Sequence, residues 1–171
     1  MTIVTHELIF HGELLNRGFW LYVWEITTPQ GTKLHYVGRT GDSSSFNAQS
    51  PFNRMSQHLG FNENSNVLRH RLDEKGVHAE KCVFRLVAHG PILPEATTRE
   101  EHRQRRDCVA AMERALADAM LAAGYNVINP IHCRTRLDER LFTAVRSAFA
   151  DWFPRLVNVL NPQPVVKGAN T

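Results

Sequence analysis

The sequence predicts an α+β protein whose small three-stranded sheet, antiparallel or mixed, is covered by helices. Three observations carry that expectation. Residues 19–27 and 33–38 are short runs rich in aromatic and β-branched residues, joined by a turn. The stretch "EKCVFRLVA" alternates Cys82, Phe84, Leu86 and Ala88 to one side, as a third strand does. Elsewhere apolar residues recur at helical spacing between recognisable caps.

Residues 1–18 read as an amphipathic lead-in, with Glu13-Leu14-Leu15 helical before Gly18. The hairpin follows. In its turn, Thr28-Pro29-Gln30-Gly31, Pro29 presets φ and Gly31 supplies the left-handed conformation that closes a type I turn with a bulge. That register puts Thr28 opposite Thr32, Trp24 opposite Tyr36 and Tyr22 opposite Gly38, all on one sheet face. A slip of one residue would separate the phenols, so the turn chemistry bears on function. "RTGDSSSFNAQS" is a loop by composition.

Ser50 and Pro51 then start a helix as N-cap and first residue, and Gly60 ends it near Leu59. A second helix runs from Asn66 to Gly76 and is expected to bury Val67, Leu68 and Leu72. After the third strand comes the proline-containing loop "HGPILPEATT". A long helix from Thr98 to about Ala123 follows, with Val109, Met112, Leu116 and Met120 on one face. A last helix, about 137–153, carries Leu137, Leu141, Val145, Phe149 and Trp152 as a stripe. The expected order is helix, strand, strand, helix, helix, strand, helix, helix.

The 171 residues suit one domain, 1–153, with a core at about 19–130 and a loosely ordered tail at 154–171. No apolar run approaches the roughly 20 residues that span a bilayer, and no basic segment precedes an apolar signal core. The expectation is therefore no membrane partner. The odd set Cys82, Cys108 and Cys133 contains no CxxC pair, so a disulfide framework is not indicated and the cytoplasm is the natural compartment. Neither His78 with Cys82 nor His132 with Cys133 has zinc-ligand spacing. A net charge of +3 permits a nucleic-acid partner without requiring one.

Several residues could carry chemistry. Arg54 and His58, four apart, share a helix face, and a guanidinium matches phosphate geometry at every working pH. Glu113 follows the apolar Met112, where a carboxylate at the rim of the core could hold a hard divalent cation. Asn126 and Asn129 in "GYNVINP" lie just past the helix end. For each the plainer alternative is a solvated face or turn chemistry.

In this order the residues resemble the GIY-YIG nuclease family. "LYV" stands at the first short motif and "YVG" at the second, with Tyr22, Tyr36 and Gly38 on matching positions. Arg54 and His58 match the family's Arg-x-x-x-His helix, Glu113 its metal-binding glutamate, and Asn126 its closing asparagine. The resemblance implies a metal-dependent endonuclease acting on double-stranded DNA with one Mg²⁺ or Mn²⁺ on Glu113. It implies catalytic roles for Tyr22, Tyr36, Arg54, His58, Glu113 and Asn126, and substrate contacts from Gly38 and Arg39.

A nearby cation, Arg39 or the metal, would have to favour the ionised phenol of the tyrosine acting as base. His58 and Tyr22 are expected to be hydrogen-bonded neighbours. Two departures stand out: Trp20 takes the first motif's glycine position and could narrow the approach to Tyr22, and eighteen residues between Tyr36 and Arg54 make the serine-rich loop look inserted.

The alternative function is a catalytically weak or inactive nucleic-acid-binding module of the same fold. A further one is an interaction domain whose stripe from Leu137 to Trp152 packs a partner. Arg134, Arg136, Arg140 and Arg146 could add backbone contacts to DNA. A homodimer would suit cutting of both strands.

Overall fold

The turn at Thr28 closes as its chemistry requires: Gly31 has φ +80°, and the Thr28 amide donates to the Thr32 carbonyl at 2.9 Å. It fixes β1 (Phe19–Thr27) against β2 (Lys33–Arg39) with Tyr22 opposite Gly38 and Trp24 opposite Tyr36. In the computed structural model, which describes residues 4–42 and 47–157, β3 (Val83–Leu93) pairs with the other side of β1. The sheet is wholly antiparallel, in the order β2-β1-β3.

Four helices are described: α1 (Pro51–Leu59), α2 (Val67–Asp73), α3 (Arg99–Ala122) and α4 (Glu139–Ala150). Three of them start on side-chain caps, Ser50, Thr98 and Asp138, each accepting a backbone amide of the first turn. One sheet face packs Tyr22, Trp24, Ile26, Leu34 and Tyr36 against Leu68 and Leu72 of α2 and Met55 and Leu59 of α1. The other packs Phe19, Leu21, Val23 and Val37 against α3 and α4 through Met112, Leu116, Val145 and Phe149. Helices on both faces make the central strand apolar at every position from Phe19 to Trp24, with no alternation.

Some elements differ from expectation. The lead-in holds a single 3₁₀ turn, Gly12–Leu15, in place of an α-helix. Val67 is exposed, because the first residue of α2 points away from the sheet that Leu68 and Leu72 face. The last helix is shorter than 137–153, and Trp152, at 56 % exposure, has left the stripe for the surface while Phe142 is buried in its place. The start of the tail, expected to be loosely ordered, is packed: Leu156 joins the core beside Phe153. Most of the tail and the centre of the serine-rich loop lie outside the described residues.

Strand β2 lies at the sheet edge, where its outward peptide groups need partners. The chain after α3 supplies them. Val127 forms a parallel bridge to His35, with His35 donating to the Asn126 carbonyl at 2.8 Å and Ile128 donating to the His35 carbonyl at 2.9 Å. One step further the Asn129 side chain takes over. Its Oδ1 accepts from the Val37 amide at 3.0 Å and its Nδ2 donates to the Val37 carbonyl at 2.7 Å. A side-chain amide here does the work of a peptide group.

Replacing Asn129 with Ala therefore strands a donor and an acceptor on the fully buried Val37. We expect a loss of about 2–3 kcal/mol, read from the urea midpoint at unchanged m-value. Asn129→Asp, which keeps the acceptor and loses the donor, should fall between the two.

Candidate active site

Most of the residues singled out from the sequence gather about the C-terminal half of β2, with α1 on one side and α3 on the other. Tyr22 projects from the central strand toward Gly38 on β2. A Cβ on residue 38 would lie 2.4 Å from the Tyr22 ring, so the glycine is the space the phenol occupies. Gly38, expected as a substrate contact, is buried beneath Tyr22.

Tyr22 Oη lies 2.6 Å from His58 Nε2, and it is also 3.2 Å from the Arg39 carbonyl. Tyr36 stands on the same sheet face, its ring 5.1 Å from the His58 imidazole centroid to centroid. The two phenols thus flank one histidine. His58 reaches them from the last turn of α1, the helix whose start is held by Ser50 and Pro51 and whose apolar side, Met55 and Leu59, docks on the sheet.

One turn earlier on α1, Arg54 is held by Asp42 at 2.9 Å and by Gln57 Oε1 at 2.9 Å. Its Nε is buried without a hydrogen-bond partner. From the opposite layer, Glu113 of α3 meets Arg39 at the end of β2, Nε to Oε2 at 2.9 Å. Arg39 Nη1 is likewise buried and unpartnered, as is His58 Nδ1. An unpartnered guanidinium N–H on each of Arg39 and Arg54 suits an anion with several acceptor oxygens.

Burial sets the charge states. It pushes both phenols well above the ordinary tyrosine range, and the Arg54 charge only partly opposes this. Without a bound metal, desolvation outweighs the Arg54 charge and both phenols rest neutral. Burial, reinforced by Arg54, brings His58 down to about 3, so its imidazole is neutral at physiological pH. The Glu113 carboxyl is pushed up to about 7 by burial against the pull of Arg39. A carboxylate so poorly solvated gains from any cation brought beside it.

Among the described residues no group of three or more His, Cys, Asp or Glu is arranged around a common point to hold a metal ion. Glu113 alone fits an ion such as Mg²⁺, which takes one or two protein carboxylates and completes its shell with water and phosphate oxygens.

Asn126 is not brought to this cluster. It lies at the other end of β2, its side chain exposed, and only its carbonyl is used, by His35. Two residues on one side of a parallel bridge are what separates it from Asn129, whose amide reaches Val37 between Tyr36 and Gly38. Spacing along the chain could not distinguish the two asparagines; the bridge does. Asp42 was also missed. Its only signal was an acidic residue in a polar loop.

Trp20 does not crowd Tyr22 from the β2 side. Its ring packs toward β3, where a Cβ on Gly90 would come within 2.8 Å of it. Arg134, Arg136 and Arg140 are exposed, as a solvated basic face would be. Comparison with known proteins finds no matching family model, no matching curated protein and no matching solved structure.

Proposed function

We propose that the chain is a metal-dependent endonuclease that hydrolyses DNA phosphodiester bonds, with the GIY-YIG-like core expected from its sequence. The observation that carries this reading is the clustering of Tyr22, Tyr36, His58, Arg54, Arg39 and Glu113 from β1, β2, α1 and α3. No core-packing requirement calls for two phenols, an imidazole, two guanidiniums and a carboxylate at one sheet edge.

In this reading the phosphate sits against Arg54 and Arg39, whose unpartnered N–H groups donate to its oxygens and stabilise the charge that builds during attack. Tyr22 orients the attacking water. As the water oxygen bonds to phosphorus and the opposite ester P–O bond breaks, the water proton passes to Tyr22 Oη and the phenolic proton to His58 Nε2, in the tautomer protonated at Nδ1. The departing alkoxide takes a proton from solvent. His58 is a weak base in the resting site because Arg54 and burial oppose its charge. A bound phosphate anion cancels the Arg54 contribution and raises the basicity of His58 when substrate is present. Tyr36 holds the other side of the imidazole.

Glu113 would hold one Mg²⁺ or Mn²⁺ through the oxygen that Arg39 does not engage. Such an ion supplies Lewis-acid stabilisation of the leaving oxygen when bound.

Nicking of supercoiled plasmid in Mg²⁺ tests the reading. Glu113→Ala should lower the rate at least about 100-fold, and chelator should abolish it. Tyr22→Phe should impair cleavage more than Tyr36→Phe, because only Tyr22 hydrogen-bonds His58. DNA binding without cleavage by the wild type would reject the enzyme and favour the binding-module alternative.

The raised Glu113 carboxyl gives a pH signature. Proton and metal compete for the same group, so below about 7 metal affinity should rise about tenfold per pH unit and level off above it. Mn²⁺ titration followed by electron paramagnetic resonance measures this directly. With His58 held near 3, no second limb from an ordinary histidine should appear between pH 5 and 8. A pH-independent affinity over that range would remove Glu113 as the ligand.

A further inference from the structure

We infer that the cavity at the opposite end of β2, against the chain that follows α4, is a nucleotide site taking a planar base that carries a phosphate. This stands apart from the nuclease reading, because none of its residues belongs to the cleft described above.

The cavity is about 370 Å³, the size of a small-ligand site and too large for a bare anion. Lys33 and His35 project to the sheet face opposite Leu34 and Tyr36, so the cavity and the Tyr22–His58 cluster are on different faces. Its floor is a cross-strand row, His35 beside Glu25 beside Arg85. His35 is 2 % exposed, wedged against the rings of Tyr125 and Phe153. Its Nε2 faces the Glu25 carboxylate at 3.7 Å, too long for a good hydrogen bond, and its Nδ1 has no hydrogen-bond partner. A buried ring nitrogen left unpaired costs free energy that the polar edge of a nucleobase would recover.

The rim is cationic. Lys33, Arg85 and Arg155 surround the single carboxylate of Glu25, three positive charges against one negative, which leaves an excess of two. Glu25 already has Lys33 at 3.1 Å and Arg85 at 3.6 Å, so the surplus is available to an anion. Arg155 lies over the Tyr125 ring at 3.9 Å and keeps that cation at the mouth. The wall is aromatic: Trp152 lines the cavity, is more than half exposed, and has Arg85 5.2 Å from its ring. A base stacked on Trp152 would place its phosphate among the cations and its polar edge toward Glu25 and His35. An anion without a ring would leave the aromatic wall and the floor unused.

Isothermal calorimetry with nucleoside 5′-monophosphates, inorganic phosphate and a short 5′-phosphorylated single strand tests this on the full chain. Wild-type protein should bind a monophosphate with Kd below about 1 mM, and inorganic phosphate at least tenfold more weakly. Trp152→Ala should weaken nucleotide binding by about tenfold or more, the scale of one base–aromatic stack. Lys33→Ala should weaken it and flatten its salt dependence. Both side chains are exposed, and unchanged thermal melting of the variants confirms that the fold is kept.

Equal affinity for monophosphate and oligonucleotide would assign a free nucleotide as ligand. Preference for the oligonucleotide, still lost in Trp152→Ala, would assign a nucleotide within a strand. The inference is overturned by no heat with any probe at about 10 mM, by phosphate binding as tightly as nucleotide, or by binding that both variants leave intact. Plasmid cleavage reports separately on the other cleft, so the two readings fail independently.

Discussion

Tyr22 fills the volume that a side chain on Gly38 would need, and that single steric relation ties the sheet register to the cleft. An added Cβ would come within 2.4 Å of the phenol ring. With the space open, the ring lies across β2 and its hydroxyl reaches His58 at 2.6 Å. Register, phenol and imidazole are therefore one arrangement. The turn at Pro29 and Gly31 selects which residue faces Tyr22, Gly38 leaves the room, and α1 delivers the histidine from a helix pinned at its start by Ser50. A slipped register would put a side chain where the phenol now lies and turn Tyr36 to the other face.

The second condition is the sealing of β2. An edge strand whose peptide groups faced water could not lie beneath a desolvated cleft. The segment after α3 closes it through the bridge at His35 and the Asn129 amide on Val37. The same segment leaves α3 within reach, so that Glu113, from the far helical layer, meets Arg39 as the strand ends. Sealing also shapes the electrostatics. Four groups of the cluster are displaced toward their neutral forms: the two phenols and Glu113 upward, His58 downward. Only the guanidiniums keep their charge unconditionally. The resting cleft is thus cationic and poorly solvated, a setting in which a phosphate and a divalent cation each stabilise the binding of the other.

The polar cluster and the cavity draw on the same two strands, Tyr22 and Tyr36 serving the first and Glu25 and His35 the second. Alternation along β2 sends Tyr36 and Gly38 to one face and Lys33 and His35 to the other. A single short strand thereby serves a polar cleft at its end and a cationic, aromatic-walled cavity at its start. The exposed Trp152 and the unpaired Nδ1 of His35 belong to the second, and neither is accounted for by packing alone.

What the chain's own sequence determined is local. The turn, the strand alternation, the caps at Ser50 and Thr98 and the glycine stops follow from φ preferences and periodicity within a few residues, and they were legible for that reason. The pairing of Tyr22 with Gly38 was legible too, because a hairpin makes two strands neighbours through one turn. What depends on contacts between distant segments was not. The choice of Asn129 over Asn126 rests on a bridge spanning 92 residues, and Asp42 becomes a partner of Arg54 only once α1 has docked. The charge states of Tyr22, His58 and Glu113 likewise came from the tertiary structure alone, because desolvation is a property of everything packed around a group.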